Sequence, residues 1–572
     1  MDDISVRGRK AAYLMPWLAL NGWATAMTAN AQTVPSAAAT LDTQEQRERN
    51  ERDAAAREQA RRAPDVRLES AAPADFHRTD LPVEAPCFDM HTIRLRGEHS
   101  EAFAFVQSYL DRYAGRCVGH EGINLIVRRA GELAIDRGYV TARIGLGAQD
   151  LSRGELILTL VPGVIRAIRY DDDVRGGDWH TALPMRAGDL LNLRDIEQGL
   201  EQFKRVASQD VSIDIAPGDA PGESDLLITV KRARPWNLVA SLDDTGSRAT
   251  GRGQAGLNLG IDNPLGLNDL LALGYNRNVP ASGDKGTKGI SGNYSMPWGR
   301  WLFTSGFYGY RYHQRVTGSA QTFLSSGTSR TVDLNARYLL HRDRSSKTTL
   351  EMRVGRRWAH SYIEDIELDT QRRNTTLAEL ALSHRRYLGS AQLDLRVAQR
   401  RGVHWFGGMR DTRGHSSDEP TFGYNLTTFD ASLNLPFQLG RLPLQWTSEL
   451  HAQRSPDTLY GSEFIAIGGR YTVRGFDGEQ TLAAERGWYW RNSVTLPVSR
   501  WPFAFYAGID NGHVGGPSGR YLGKKSLSGG FAGLRGNIGR LNWDAFGGWS
   551  LRGGRQLDSM RPATGFSLIY QF

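Results

Sequence analysis

Apolar and polar residues alternate along most of the chain from residue 235 to residue 572. The runs 350–354 (LEMRV) and 393–397 (LDLRV) each place a charged side chain at every second position. Strands with one apolar and one polar face are typical of membrane β-barrels with a polar lumen. At about 9–11 residues per membrane strand, and roughly as many per turn or loop, the segment accommodates about 16 antiparallel strands. The pattern therefore predicts an outer-membrane type of β-barrel.

A soluble β-propeller or β-sandwich is the alternative for this segment. The sequence shows no repeat of blade length. A sandwich would also have to bury many arginines on its inner faces, which is costly without acidic partners. The last strand-like run favours the barrel, because aromatic and apolar residues share one face: Phe566, Leu568, Tyr570 and Phe572.

The stretch 86–162 mixes helical and strand patterns and predicts a small α+β domain. A strand over 90–95 is followed by a helix that Ser100 caps and Gly115 ends. A second helix ends at Gly138, and two alternating strands complete the domain.

The stretch 163–234 repeats this plan and predicts a second α+β domain. Its strand over 164–170 is followed by a helix capped by Asn192. A hairpin is predicted to pair three apolar residues of one strand with three of the next: Val211, Ile213 and Ile215 with Leu226, Ile228 and Val230.

Residues 1–31 have the features of a secretory signal peptide. A basic start precedes a mostly apolar stretch over 11–20, and Ala29-Asn30-Ala31 fits the cleavage rule. A membrane anchor is the alternative, but the apolar run is short for one. The mature chain would begin near Gln32 in the periplasm.

Within the N-terminal region 32–62, the run 40–62 is almost wholly polar and rich in helix formers. Acidic and basic residues stand four apart with the acid first: Glu45 with Arg49, Glu48 with Arg52, and Glu58 with Arg62. The segment has no apolar face with which to dock on a core. It is either a solvated, disordered tail or a polar helix inside a water-filled lumen. Residues 63–85, with three prolines, are predicted to be a linker.

The run 467–478 (IGGRYTVRGFDG) combines four glycines, two arginines and two aromatic residues. Glycine permits positive φ and close backbone approach, and the run is too apolar for an ordinary solvated loop. We predict a loop folded inward with Arg474 at its tip. A buried arginine needs an acidic partner, and Asp510 is the candidate because it faces the same side of its strand as Tyr506 and Gly508. The alternative is a surface turn with a solvated arginine.

Together these features resemble the TpsB transporters of two-partner secretion (ShlB/FhaC/HecB-like), outer-membrane pores in the superfamily that includes BamA. Val473-Arg474-Gly475-Phe476 matches the VRGF/Y motif of the family, and Gly508-x-Asp510 matches its (F/G)xD motif. Further matches lie in the upstream domains and the first barrel strands: 149–154 (QDLSRG), Val161-Pro162-Gly163, 241–246 with Gly251, 262–269 and 294–299.

The resemblance implies a removable N-terminal plug helix, two periplasmic POTRA domains and a barrel in which the arginine of the VRGF loop pairs with the wall aspartate. It implies that the POTRA domains capture an unfolded TpsA-type exoprotein and that the barrel exports it without ATP. An adhesin, a haemolysin and a contact-dependent toxin are all compatible cargoes. The aromatic last strand resembles the signal that barrels present to the barrel assembly machinery.

The two cysteines, Cys87 and Cys117, fall just before the first strand and just beyond the first helix of the first POTRA-like domain. An oxidising periplasm favours a disulfide between them. Two free thiols are the alternative.

Composition limits the classes of function. The chain has 64 glycines among 572 residues and only 2 cysteines, which suits a β-barrel with many turns. Its net charge of +8 is compatible with a basic pore or acidic partners, but solubility alone is the preferred explanation of the total charge. The sequence contains no CxxC, HExxH, P-loop or GxSxG motif, and its histidines are scattered; His513, the one near Asp510, is expected in a loop. We therefore expect no enzyme activity, metal, cofactor or nucleic-acid partner.

Two other functions compete with export. A BamA-like assembly factor would share the VRGF loop and the POTRA domains, and a passive porin would share the barrel. The polar N-terminal helix, the presence of only two POTRA-like domains and the 149–163 motifs favour the transporter. A porin has no need of periplasmic modules.

Overall fold

The computed structural model describes residues 43–47, 49–52, 64–68, 75–171, 177–318, 321–498, 501–553, 557 and 562–572. The predicted signal peptide lies outside these residues. Within them the chain forms an N-terminal helical segment, two α+β units and a closed barrel. None of the helices in the described ranges is long and apolar enough to cross a membrane.

The first α+β unit contains two α-helices and five short strands. Strands β2, β5 and β4 form one sheet in that order, and β1 pairs with β3. The bounds are β1 Phe88–Met90, β2 Thr92–Arg96, α1 Ala104–Leu110, β3 Arg116–Val118, α2 His120–Asp136, β4 Arg143–Leu146 and β5 Glu155–Val161, with 3-10 turns at Ser100–Phe103, Asp111–Tyr113 and Leu151–Arg153.

Two predictions for this unit are wrong in detail. The single strand over 90–95 is divided at His91, because β1 and β2 pair with different strands. Ser100 lies within the first helical turn and does not cap it. The N-cap position falls one residue earlier, on His99, whose backbone is left-handed with a φ of 56°. The positive φ of Gly138, 97°, agrees with its predicted place after α2.

The C-terminal half of the predicted linker lies against this first unit. Arg129 of α2 is only 2% exposed and forms an ion pair of 3.0 Å with Asp75. The carboxylate of Glu84 accepts two backbone N–H groups at the start of α2, at 2.7 and 2.9 Å, where the helix dipole favours negative charge. Residues 75–86 are therefore docked on the unit.

The disulfide between Cys87 and Cys117 is confirmed, with a Cα–Cα distance of 5.4 Å. It links the end of the docked segment to β3. The disulfide closes a loop across a sequence separation of 30 and so reduces the number of conformations open to the unfolded chain, which stabilises the folded unit.

We expect the double substitution Cys87→Ser/Cys117→Ser to lower the free energy of unfolding of the first unit by about 3–4 kcal/mol. Hydrogen exchange of α2 in the full-length protein measures this change. Chemical reduction of the unsubstituted protein is the matched control and should give the same loss. Unchanged protection of α2 in both samples would contradict the prediction.

The second α+β unit has a three-stranded sheet in the order β6, β8, β7. Asn192 caps α4 as predicted, accepting the backbone N–H of Arg194 at 2.9 Å. The predicted hairpin is also confirmed, with Val211 opposite Val230, Ile213 opposite Ile228 and Ile215 opposite Leu226. A hydrogen bond from Arg166 holds the pKa of the Asp225 carboxyl below its usual value. The bounds are β6 Val164–Tyr170, α3 Trp179–Ala182, α4 Leu193–Lys204, β7 Gln209–Pro217 and β8 Glu223–Arg232.

Sixteen antiparallel strands close the barrel, as predicted, and the last strand pairs with the first. They are β9 Trp236–Asp243, β10 Gln254–Asp262, β11 Leu270–Asn278, β12 Lys285–Trp298, β13 Trp301–Thr317, β14 Thr322–Arg342, β15 Ser346–Ile363, β17 Arg373–Leu388, β18 Ala391–Val403, β19 Asn425–Leu439, β20 Leu442–Arg454, β23 Arg486–Pro497, β24 Phe503–Gly515, β25 Ser526–Ile538, β26 Leu541–Arg552 and β27 Ala563–Gln571.

Shorter elements lie in the long connections and before the first unit. They are β16 Ile366–Glu367, β21 Ile465–Ile467 and β22 Leu482–Ala484, with 3-10 turns at Asp75–His77, Asp369–Gln371, Trp405–Gly407, Gly461–Glu463 and Ser518–Tyr521.

Most of the barrel strands are longer than the roughly 9–11 residues that the membrane alone requires, and β14 reaches 21 residues. Turns at one end are short, such as the turn at Gly299, whose φ is 58°. The chain enters β9 from the second α+β unit at this same end. Loops at the opposite end are longer, and the longest joins β20 to β23.

Side chains alternate across the barrel wall as the sequence pattern predicts. Arg353 lies 2.8 Å from Asp333 inside the lumen, whereas the neighbouring Met352 is exposed on the outer face. On β27 the residues of the predicted assembly signal lie on the outer face, where Phe566, Tyr570 and Phe572 are exposed.

Candidate functional site

The long connection between β20 and β23 folds into the barrel. Its short strands β21 and β22 pair with each other and hold the loop 468–481 between them. The two apolar residues of the VRGF motif, Val473 and Phe476, are buried against residues of the barrel wall that include Val514 and Leu527. The burial of these side chains directs the loop inward.

Arg474 and Asp510 form a two-pronged ion pair at the tip of this loop. Arg474 Nε donates to Asp510 Oδ2 at 2.7 Å, and Nη2 donates to Oδ1 at 2.8 Å. The side chain of Asp510 has no exposed surface, and that of Arg474 is 12% exposed. The structure therefore brings together the two residues that the sequence paired, as a charge pair held out of bulk water.

Further contacts, which the sequence did not indicate, complete the arrangement. The backbone N–H of Arg474 donates to Asp510 Oδ2 at 3.0 Å, and that of Asn492 donates to Oδ1 at 3.2 Å. The guanidinium of Arg474 lies 3.5 Å from the centroid of the Phe531 ring, where a cation–π attraction adds to the ion pair.

Gly508, the first residue of the Gly508-x-Asp510 motif, has a steric role. A Cβ atom at this position would lie 1.8 Å from the carbonyl oxygen of Asn492 and 2.7 Å from the Phe531 ring. Only glycine lets Phe531 approach closely enough to stack on Arg474.

A notch of glycines in the barrel wall receives the loop tip. A Cβ atom on Gly529 of β25 would lie 1.7 Å from the carbonyl oxygen of Arg474, and one on Gly548 of β26 would lie 2.8 Å from Cα of Gly475. Gly475 itself has a φ of 105°. Sequence reasoning missed this notch, although glycine within a strand often marks a close backbone approach.

The N-terminal helical segment, residues 43–47 and 49–52, contacts the same loop from the lumen. Gln46 donates to the carbonyl oxygen of Gly461 at 2.6 Å, and Arg47 donates to that of Gly478 at 2.6 Å. Arg49 donates to the carbonyl oxygen of Ser462 at 2.6 Å. Polar side chains thus attach the helix to the inward loop on both sides of its tip. The acceptors are backbone carbonyl groups, so an apolar helix face could not make these contacts.

A network of charges extends these contacts to the barrel wall. Glu463, at the base of the loop, lies 3.0 Å from Arg357, 3.6 Å from Arg400 and 3.8 Å from Arg49. Glu45 of the helix lies 3.6 Å from Arg357. The helix, the loop and the wall therefore share one carboxylate.

We expect Arg49→Ala to loosen the helical segment and to raise the open fraction of the pore in planar bilayers roughly ten-fold, since about 1.4 kcal/mol suffices for that change. Each charged hydrogen bond removed contributes about 1.5–3 kcal/mol. Arg372→Ala, in an outer loop, is the control and should leave conductance unchanged. An Arg49→Ala channel as closed as the original would contradict the expectation.

The remaining candidate, His513, is not in a loop as predicted. It lies on β24, which continues past Asp510, and its ring is 2.9 Å from the hydroxyl of Ser526. Among the described residues, no group of three or more His, Cys, Asp or Glu is placed to bind a metal ion.

Family models match the chain in three consecutive parts. The model of the haemolysin secretion/activation proteins ShlB/FhaC/HecB matches residues 222–536. A ShlB-type POTRA model matches residues 88–163, and a second POTRA model matches residues 164–217.

Several relatives match over most of the chain. The outer membrane transporter CdiB-2 of Burkholderia pseudomallei is 40% identical over 96% of this chain and 97% of its own length. The haemolysin transporter protein ShlB of Serratia marcescens is 28% identical over 75% of this chain and 74% of its own.

Solved structures of two relatives share the fold. CdiB from Acinetobacter baumannii superposes with a TM-score of 0.82 at 27% identity, covering 93% of this chain and 99% of the other. CdiB from Escherichia coli gives 0.81 at 26% identity, covering 94% and 99%.

These matches agree with a barrel in the outer membrane and two POTRA domains in the periplasm. The relatives are transporters of the outer membrane, and the family is not one of enzymes. From the matched models and the full-length relatives we conclude that this chain belongs to the ShlB/FhaC/HecB family of haemolysin secretion/activation proteins, the TpsB transporters of two-partner secretion.

Proposed function

We propose that this chain recognises an unfolded TpsA-type exoprotein through its POTRA domains and translocates it to the cell surface without ATP. The observation that carries the proposal is the clasp between Arg474 and Asp510 inside a barrel whose lumen also holds a polar helix. In this mechanism the helix leaves, the cargo threads the lumen, and its folding outside the cell supplies the pull. The clasp holds the inward loop in the transport-competent position.

The proposed organisation assigns 1–31 to a signal peptide, 32–62 to the plug and 63–85 to a linker. The POTRA domains span 86–162 and 163–234, and the barrel spans 235–572. The last strand, through Phe566, Leu568, Tyr570 and Phe572, is the segment that the barrel assembly machinery would recognise.

Among the three compatible classes of cargo, we favour a contact-dependent toxin over an adhesin or a haemolysin. The support is the resemblance to transporters named CdiB, one of which is 40% identical over nearly the whole chain. Haemolysin transporters are less similar, at 28% and 27% identity.

A secretion assay tests the proposal. The chain is co-expressed with the large exoprotein encoded beside its gene, and the medium is probed for the N-terminal region of that exoprotein. Export that requires this chain supports the transporter. Absence of export, together with depletion of other outer-membrane barrels when the chain is lost, would instead favour the BamA-like assembly factor.

A further inference from the structure

The linker residues 64–68 lie in a site between the second POTRA domain and the periplasmic end of the barrel. Helix α4 forms the floor of this site, and its outer face carries Glu197 and Glu201, one helical turn apart. Both are buried, Glu197 to 1% exposure. A carboxylate on the outer face of an amphipathic helix is ordinarily solvated, so the burial of these two requires an explanation.

The two carboxylates bind the backbone of the linker. The N–H of Val66 donates to Glu201 Oε1 at 3.2 Å, and the N–H of Leu68 donates to Glu197 Oε1 at 2.8 Å. In an extended chain the N–H groups of residues i and i+2 point to the same side, while that of the residue between them points away. The site therefore matches the repeat of an extended backbone.

Two cations from the barrel complete the site. Arg342 lies 3.1 Å from Glu197 and 2.9 Å from Glu201, and it donates to the carbonyl oxygen of Val66. Lys347 lies 2.6 Å from Glu201. These cations compensate the buried carboxylates, and Arg342 also binds the linker backbone.

The side chains of the linker make both polar and apolar contacts. The hydroxyl of Tyr387 on the barrel donates to Asp65, and the guanidinium of Arg67 lies 4.1 Å from the centroid of the Tyr387 ring. Val66 and Leu68 are partly buried against the core of the second POTRA domain. The two N–H donors and the two apolar contacts fall on the same alternate residues, Val66 and Leu68. An extended segment with apolar residues at alternate positions presents the same N–H donors and apolar side chains, and a long unfolded exoprotein offers such segments.

We infer that this site on α4 is a binding site for extended polypeptide, at which the linker residues 64–68 act as a resident ligand that a segment of the exported protein displaces. The inference rests on the proposed function for the identity of the incoming segment. Residue 52, the last described residue of the helical segment in the lumen, precedes residue 64 by twelve positions. Displacement of the linker would release this covalent anchor of the helical segment and leave only the contacts of Gln46, Arg47 and Arg49 with the loop to hold it in the lumen.

The test uses the full-length protein and a fluorescent peptide with the sequence of residues 63–69 (APDVRLE). Leu68→Pro removes one of the two donating N–H groups and vacates the site, since proline has none. We expect this variant to bind the peptide at least ten-fold more tightly than the unsubstituted chain. Leu68→Ala shortens the same side chain but keeps the N–H, and a smaller gain is expected.

N-methylated peptides test the backbone contacts directly and do not depend on how a variant folds. Methylation at the positions of Val66 and Leu68 should weaken binding to the Leu68→Pro chain at least ten-fold. Methylation at the intervening Arg67 position should have little effect. The proposed site would be contradicted if methylation at all three positions weakened peptide binding equally. It would also be contradicted if the Leu68→Pro and Leu68→Ala chains bound the peptide equally well.

Competition identifies the displacing ligand. The unfolded N-terminal region of the neighbouring exoprotein should displace the fluorescent peptide from the Leu68→Pro chain. If the exoprotein is exported but does not compete, the inference about the incoming segment fails while the proposed function stands. If the peptide binds as expected but no exoprotein is exported, the proposed function fails and the linker site stands alone.

Discussion

Arg474→Ala should abolish secretion of the exoprotein while leaving the barrel assembled in the outer membrane. The substitution leaves Asp510, which has no exposed surface, without its cation. Removing one partner of a buried pair costs about 3–5 kcal/mol, which corresponds to a shift of roughly 10²-fold or more between loop conformations. The barrel wall does not depend on this pair, because β24 remains bonded along its length to β23 and β25.

The measurement is the amount of exoprotein in the medium, with folded barrel quantified in the same membranes by its resistance to unfolding in detergent. Arg474→Lys keeps the charge but loses the two-pronged geometry, so intermediate secretion is expected. Arg315→Ala, which breaks an exposed pair with Asp284 at 2.6 Å, is the matched control and should secrete normally. Normal secretion by Arg474→Ala would refute the role of the clasp.

Gly529→Ala should also block secretion, although it adds one methyl group and touches no charge. The new Cβ atom would lie 1.7 Å from the carbonyl oxygen of Arg474. That oxygen belongs to the backbone, so the loop tip itself must move out of the notch. We expect secretion to fall at least ten-fold, which requires a shift of only about 1.4 kcal/mol in the position of the loop.

The neighbouring residue on the same strand offers a matched control. A Cβ atom on Gly530 would lie no closer than 3.5 Å to another atom, in ordinary contact with Leu551. Gly530→Ala should therefore secrete normally. Protease accessibility of the inward loop on intact cells reports whether the loop tip has left the notch. Only Gly529→Ala should make the loop accessible. If both alanine variants secrete alike, the notch has no role in holding the loop.

The pattern of the sequence was sufficient to predict the barrel and the ion pair between Arg474 and Asp510. Alternation is a local property of each strand, so runs such as 350–354 show their lumen and lipid faces without knowledge of their neighbours. Arg474 and Asp510 could be paired because a buried arginine restricts the choice of partner and two motifs marked both residues. The hairpin of the second POTRA domain could also be predicted from local sequence, because its apolar residues and its turn fix how the two strands pair.

The contacts between distant segments were decided by the tertiary structure. Serine is a residue type that commonly caps helices, yet the N-cap position falls on His99 and not on Ser100. Gly529 and Gly548 become a notch only because β25 and β26 lie beside the loop tip. Glu197 and Glu201 had the pattern of a solvated helix face, and their burial depends on a linker and a barrel end far away in sequence. Sequence periodicity reports which side of an element is apolar; what covers its polar side depends on the arrangement of the whole chain.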